Sequence, residues 1–418
     1  MSLAILNLKR TTCNFKKSAL VTSIGLAVMA SGPSWANDCD YVVPSSQFLV
    51  DGNDLDGNAN NGIDVVAKPG DTICLAEGER GPVRFKNLHG NESAQIVIRN
   101  ENGLVATRPY EYSIALDYSS YVRITSVNYS EEDPYNLKLG GTLGIGNLSH
   151  NVEVDHVEIY RARFAGILAK TDPNCDPASW QENFTMSGVN IHNNYIHHTE
   201  TGEGMYVGYT GKSRTLTCDG ETITVYPHLM ENVRIENNLV EHTGADGIQL
   251  NSVLGNSVIA HNRIYRTGVS PFDPRWQNNG IQVGGNGVTV ESNSIIRAGG
   301  NGMVLDGDDL TITGNLIMNA GELGIFARNL AMQDSSVSGG LPHVYKENHF
   351  INNASYALKL YATNTSAPNR VINNTVESDG SLDAAGRPMT FSYLNSLVLR
   401  EELNNRHYIY PEVPTDTE

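Results

Sequence analysis

Between residues 198 and 297, a recurring turn places His198, His242, Arg266 and Arg297 each four positions after an Asn, and Glu203 and Asp246 each directly before a Gly. Tyr206 and Lys212 follow Glu203 within the next nine residues. Imidazoles exchange protons near neutral pH, guanidinium groups hold carboxylates, and paired carboxylates act as acid and base or as ligands for a hard cation. Elimination from a uronic-acid sugar needs these types together. A cation steadies the carboxylate beside the acidic C–H, one neutral group removes the proton, and another protonates the leaving oxygen. On this reading His198 or His242 is the base, Lys212 or Tyr206 the acid, and Arg266 with Arg297 the carboxylate clamp. The alternative enzyme reading makes Glu203 and Asp246 the acid and base of a glycoside hydrolase. A third reading, an extracellular glycan-binding scaffold or adhesin, involves no chemistry.

The elements that position these residues are repeats. The phrases "NNYIHHTETGEGMYV", "NNLVEHTGADGIQL", "SNSIIRAGGNGMVL" and "GNLIMNAGELGIFA" share an Asn, alternating apolar residues, a small-residue turn and then Gly-apolar-x-apolar. The Asn precedes the Gly by nine residues in Asn238–Gly247, Asn293–Gly302 and Asn315–Gly324, and by ten in Asn194–Gly204. Short alternating runs broken by Gly and Asn predict strands, because no window holds a helical period. The 22-residue spacing of Gly280, Gly302 and Gly324 suits one coil of three short strands, stacked on its neighbours.

Stacking aligns residues into columns about 4.8 Å apart. One column runs His198, His242, Arg266, Arg297, Asn319, Asn352; another runs Glu203, Asp246, Asn279, Asn301. Both change from ionisable to amide side chains toward the C-terminus, a gradient that function would produce. Tyr206, Gln249, Gln282, Val304 and Phe326 are expected to face outward, where Tyr and Gln suit sugar rings. Lys212, Arg214, Arg263 and Arg275 extend the basic strip. Loops at 173–180, 209–228 and 270–279 could wall a cleft, with Trp180, Trp276 and Tyr209 as sugar platforms.

This pattern predicts an all-β, single-domain, right-handed parallel β-helix. It resembles that superfamily over roughly residues 65–376. The segment "KPGDTICLAEGERGPVRFKNLHGNESAQIVIRNENG" looks like the first rungs of secreted helices of the chondroitinase B and alginate lyase type. Asn194, Asn238, Asn262, Asn293, Asn315, Asn348 and Asn374 resemble the asparagine ladder of such proteins. The resemblance implies a polysaccharide lyase whose base and acid are a Lys and an Arg, with acidic Ca²⁺ ligands shortly before the Lys; Lys212, Arg266 and Glu203 are the nearest counterparts.

Residues 1–36 read as an export signal: Lys9, Arg10, Lys16 and Lys17 precede an apolar stretch, and Ser34-Trp35-Ala36 offers a small-x-small cleavage site. Residues 37–376 then form the helix, and 377–418 a cap and tail. Loss of the signal moves the formal charge from −17 to about −21. Nucleic acid is excluded as a partner, membrane insertion is not expected, and an acidic glycan would need a local basic strip. The product is expected to be a secreted or periplasmic monomer. Cys39, Cys74, Cys175 and Cys218 remain, and their order favours Cys39 with Cys74 and Cys175 with Cys218 among three open pairings. Calcium is a candidate cofactor, because "DGNDLDGNANNGID" offers Asp54, Asp56 and Asp64 as oxygen ligands.

Overall fold

The structure, a computed structural model, describes residues 39–57, 65–128, 130, 134–328, 341–361, 367–393, 398 and 400–410. The expected signal segment lies outside these residues, as does Asp64. Residues Asn37–Glu418 form one compact unit. Its described strands build three long parallel sheets of 13, 14 and 12 strands, here called A, B and C, and one two-stranded hairpin. One rung shows the order: Asn190–His192 in sheet A, Tyr195–His197 in sheet C, Met205–Val207 in sheet B. The next rung repeats it with Arg234–Glu236, Leu239–Glu241 and Ile248–Gly255. Among the described residues the single helical element is a 3₁₀ turn at Pro177–Ser179, and none is long and apolar enough to cross a membrane.

Alternation within each strand sends one set of side chains inward, where parallel register stacks like on like. In sheet B the interior stack includes Leu143, Ile167, Met205, Ile248, Ile281, Met303 and Ile325, all fully buried. Gly280 lies where that sheet meets the turn. A Cβ there would stand 2.4 Å from the Ile295 side chain and 2.6 Å from the Gly302 carbonyl, so the repeated Gly is a packing requirement.

The asparagine ladder is present at every expected rung. Each side-chain amide donates to the next Asn carbonyl oxygen, as in Asn194 to Asn238 at 3.0 Å and Asn293 to Asn315 at 3.0 Å. Each ladder amide is thereby satisfied within the turn. The ladder runs one rung beyond the sequence pattern, from Asn374 to Asn405 at 3.0 Å. Strands Arg400–Leu403 and Arg406–Ile409 accordingly continue sheets A and C within the segment expected to be cap and tail. Cys39 bonds to Cys74 and Cys175 to Cys218, the pairing that chain order favours. Two disulfides suit an oxidising, extracytoplasmic compartment.

Candidate functional site

The outer face of sheet B carries a column in continuous register: Leu49, Arg84, Ala115, Gly144, Leu168, Tyr206, Gln249, Gln282, Val304, Phe326 and Lys359. This contains the five expected outward positions. Two residues further along the strands lies a second column, including Lys86, Asp117, Lys170, Asn251, Asp306, Arg328 and Tyr361. Together they set a row of cations along one face of an otherwise acidic chain. Lys86 pairs with Asp51 at 2.9 Å, Lys170 with Asp172 at 2.7 Å, Arg84 with Asp117, and Arg328 with Asp306. Lys359 lies 5.5 Å from the Phe326 ring centre and 5.1 Å from that of Tyr361.

Tyr206 sits at the middle of this face. The Lys170 ammonium lies 4.9 Å from its ring centre and 5.3 Å from that of Tyr209. Burial alone would lower the Lys170 pKa, but Tyr206 and Asp172 outweigh it and hold the ammonium above its ordinary value. The Thr210 N–H donates to the Tyr206 hydroxyl oxygen at 3.3 Å. Gln249 and Asn251 both turn their amide nitrogens to the Thr210 hydroxyl. Their carbonyl oxygens are buried without a hydrogen-bond partner among the described residues, a pair of acceptors awaiting donors. Gln249 and Gln282 face outward but are only 1% and 7% exposed, so they form a floor beneath the surface.

Glu203 and Asp246 occupy successive rungs at the edge of sheet B, and both are fully buried. The Asn279 amide and backbone N–H donate to one Asp246 oxygen at 3.0 and 2.7 Å; Asn301 repeats this on Asn279. The second column is therefore a second side-chain ladder. Its start is incomplete: the other Asp246 oxygen and both Glu203 oxygens have no hydrogen-bond partner among the described residues. Burial raises the Glu203 carboxyl to about 7, partly offset by Lys170. It raises Asp246 further above its ordinary range, Asn279 opposing and Glu203 adding to the shift. The loop at 270–279 spans this edge. Phe272 reaches Phe164 with ring centres 6.3 Å apart, and Trp276 lies 5.1 Å from the Arg328 guanidinium.

The histidine and arginine column lies elsewhere, at the corner between sheets C and B. Arg161, His198, His242, Arg266, Arg297, Asn319 and Asn352 all adopt left-handed backbone, with φ between 46° and 58°. The shared property of the column is this conformation, which Asn and His adopt more readily than most residues other than Gly. The His198 and His242 rings stack with centres 4.8 Å apart. Burial, then the neighbouring His197 and His242, lowers the His198 pKa, so its imidazole is neutral at pH 7. Arg297 donates to the Tyr265 hydroxyl at 3.0 Å, and Arg266 lies 5.3 Å from the same ring.

The other expected residues are dispersed. Arg263 is exposed on sheet C, Arg275 pairs with Asp273 in the 270–279 loop at 3.6 Å, and Lys212 and Arg214 lie on the exposed excursion after sheet B. Trp180 anchors its own loop through a 2.8 Å bond to the Asn174 carbonyl. Asp54 and Asp56 border a cavity of about 430 Å³ beside Asp51, whose carboxylate Lys86 already holds. Among the described residues one trio, Glu153, Asp155 and His192, brings ligand atoms within 4.8 Å of one another. Arg123 ion-pairs with both acids, at 3.3 and 2.7 Å, and His192 and His156 lie 3.1 and 2.6 Å from Glu153 and Asp155, so these carboxylates already have protein partners.

Lys170, Asp306 and Arg328 were not singled out from the sequence. A signal for them exists: in "GILAK", "GIQLN", "GMVLD" and "GIFAR" they occupy the fifth place of the repeated phrase.

A family profile described as "Right handed beta helix region" matches residues 225–376. With its three parallel sheets, the chain is a right-handed parallel β-helix. Comparison with curated protein sequences finds no match. Similar solved structures include an alginate lyase from Paenibacillus sp. str. FPU-7, at 17% identity over 88% of this chain and 98% of that one, with a TM-score of 0.38. A periplasmic alginate epimerase shares 12% identity over 88% and 84%, at 0.42. A GH136 lacto-N-biosidase from Eubacterium ramulus shares 14% over 89% and 68%, at 0.39. Likeness of this degree concerns the fold and carries no argument about activity.

Proposed function

We propose that this protein is an exported, carbohydrate-active enzyme that cleaves an acidic polysaccharide by β-elimination on the outer face of sheet B. The observation that carries the reading is the charged Lys170 over the Tyr206 and Tyr209 rings, within a row of basic side chains on one face. Lys170 holds a uronate carboxylate and thereby favours loss of the neighbouring C–H proton. Tyr206, reacting as the phenolate, takes the C–H proton and passes it to the departing glycosidic oxygen, while the Thr210 N–H donates to the phenolic oxygen. Lys359 holds a carboxylate of a sugar further along the chain.

A second candidate for the base is His198, because its imidazole is held neutral, the form that accepts a proton. The hydrolase alternative rests on Glu203 and Asp246, and requires two buried carboxyls to be uncovered. A screen of alginate, pectate, glycosaminoglycans and neutral glycans separates these readings. Elimination yields an unsaturated, ultraviolet-absorbing product from an acidic glycan; hydrolysis yields a new reducing end without that absorbance. No cleavage of any acidic glycan would sink the proposal.

A further inference from the structure

The Tyr206 face does not end at Lys170. Four rungs toward the N-terminus the same outer column reaches Arg84, through Leu168, Gly144 and Ala115. At about 4.8 Å per rung this is a run of about 19 Å. Here the surface opens into a cavity of about 800 Å³, lined by Phe48, Leu49, Arg84, Tyr110, Tyr112 and Arg163 among others. That volume is typical of ligand sites. Phe48 is 73% exposed, and Tyr110 and Tyr112 are 39% and 41% exposed, so three aromatic rings face solvent within one concavity.

The floor between the cavity and Tyr206 is kept low. Ala115 and Gly144 supply it, and the Tyr112 ring lies across Gly144 so closely that a Cβ there would stand 2.8 Å from a ring carbon. Above the floor, Phe164 bridges toward the centre, its ring 6.2 Å from that of Tyr206. Arg84 is neutralised by Asp117, but the exposed Arg163 pairs with no carboxylate among the described residues. The cavity therefore combines apolar ring faces with one cation whose charge is free. Ring faces pack on the C–H faces of pyranoses, and a guanidinium pairs with a carboxylate.

We infer that this cavity is a distal subsite for the same acidic chain, seating uronate units beyond those at Tyr206, so that the protein prefers long oligouronates to short ones. The inference rests on the proposed sheet B reading for its ligand class. Its test is calorimetric titration of short and long oligouronates, and of a neutral cello-oligosaccharide, into the Tyr206→Phe protein and into that protein carrying Phe48→Ala with Arg163→Gln. Both added substitutions are at exposed side chains, and equal melting temperatures check the fold. The long oligouronate should bind about tenfold more tightly than the short one, a preference that falls to about twofold or less in the cavity variant while short-chain affinity is kept. A length preference that survives the cavity substitutions overturns the subsite and leaves the sheet B reading standing. Failure of every oligouronate to bind overturns both, and equal binding of the neutral chain overturns the acidic class.

Discussion

Lys170 and Tyr206 lie on adjacent rungs of sheet B with the ammonium 4.9 Å from the ring centre, and Asp172 holds that ammonium in place at 2.7 Å. If this pair performs elimination, Tyr206→Phe lowers kcat by about 10²–10⁴-fold with little change in KM, the usual scale for a lost proton-transfer group. Lys170→Met raises KM and lowers kcat together, and Lys170→Arg restores part of both. Ultraviolet product formation under initial-rate conditions gives these values. Full activity in Tyr206→Phe, with loss in His198→Ala, would transfer the proton to the corner imidazole.

Glu203 makes stability depend on pH with a definite sign. Its folded carboxyl titrates near 7 against an ordinary 4.5, so the folded state holds a proton that the unfolded chain releases within that window. Its contribution is fully present below 4.5 and is lost as pH rises through 7, by about 3 kcal/mol. Glu203→Gln should flatten the fall in melting temperature across this range and raise it at pH 8. An unchanged slope in thermal scans would count against the buried, unpartnered carboxyl.

The ladder predicts a large effect from one amide. Asn293 donates to Ile259, Glu291 and Asn315 and accepts from both the backbone and the side chain of Asn262. Asn293→Ala leaves several of these buried groups unsatisfied, and should cost about 2–4 kcal/mol in urea unfolding. Asn319→Ala, at the corner, should cost less.

Cation charge on the sheet B face comes from side chains, which predicts that cleavage persists after exhaustive chelation. Calcium at Asp54 and Asp56 predicts the opposite, loss on chelation and recovery with added Ca²⁺. Initial rates before and after dialysis against chelator decide between them.

The fold was legible because its signals are local and repeated: the Asn of the ladder, the Gly that a Cβ would wreck, and the apolar alternation between them. The site was less so. His198, His242, Arg266 and Arg297 do stack rung on rung, but sequence spacing does not report that their column sits on a left-handed corner between sheets. Glu203 and Asp246 look alike from sequence whether they line a cleft or lie buried, because the contacts that bury them come from other rungs, as Asn279 does at Asp246. Lys170 and Arg328 stand in the same place of the repeat, yet other rungs put Gly, Asn or Asp there, so no residue type marks that position.

That fifth place has a wider consequence. Each rung contributes one residue to it, on a backbone fixed by the ladder and the interior stack. The row Lys170, Gly208, Asn251, Gly284, Asp306, Arg328, Tyr361 is thus written one residue per coil, like type set along a line. A change at one coil leaves the spelling of its neighbours intact, so preference for a charge pattern along a polymer can be revised letter by letter without recasting the scaffold.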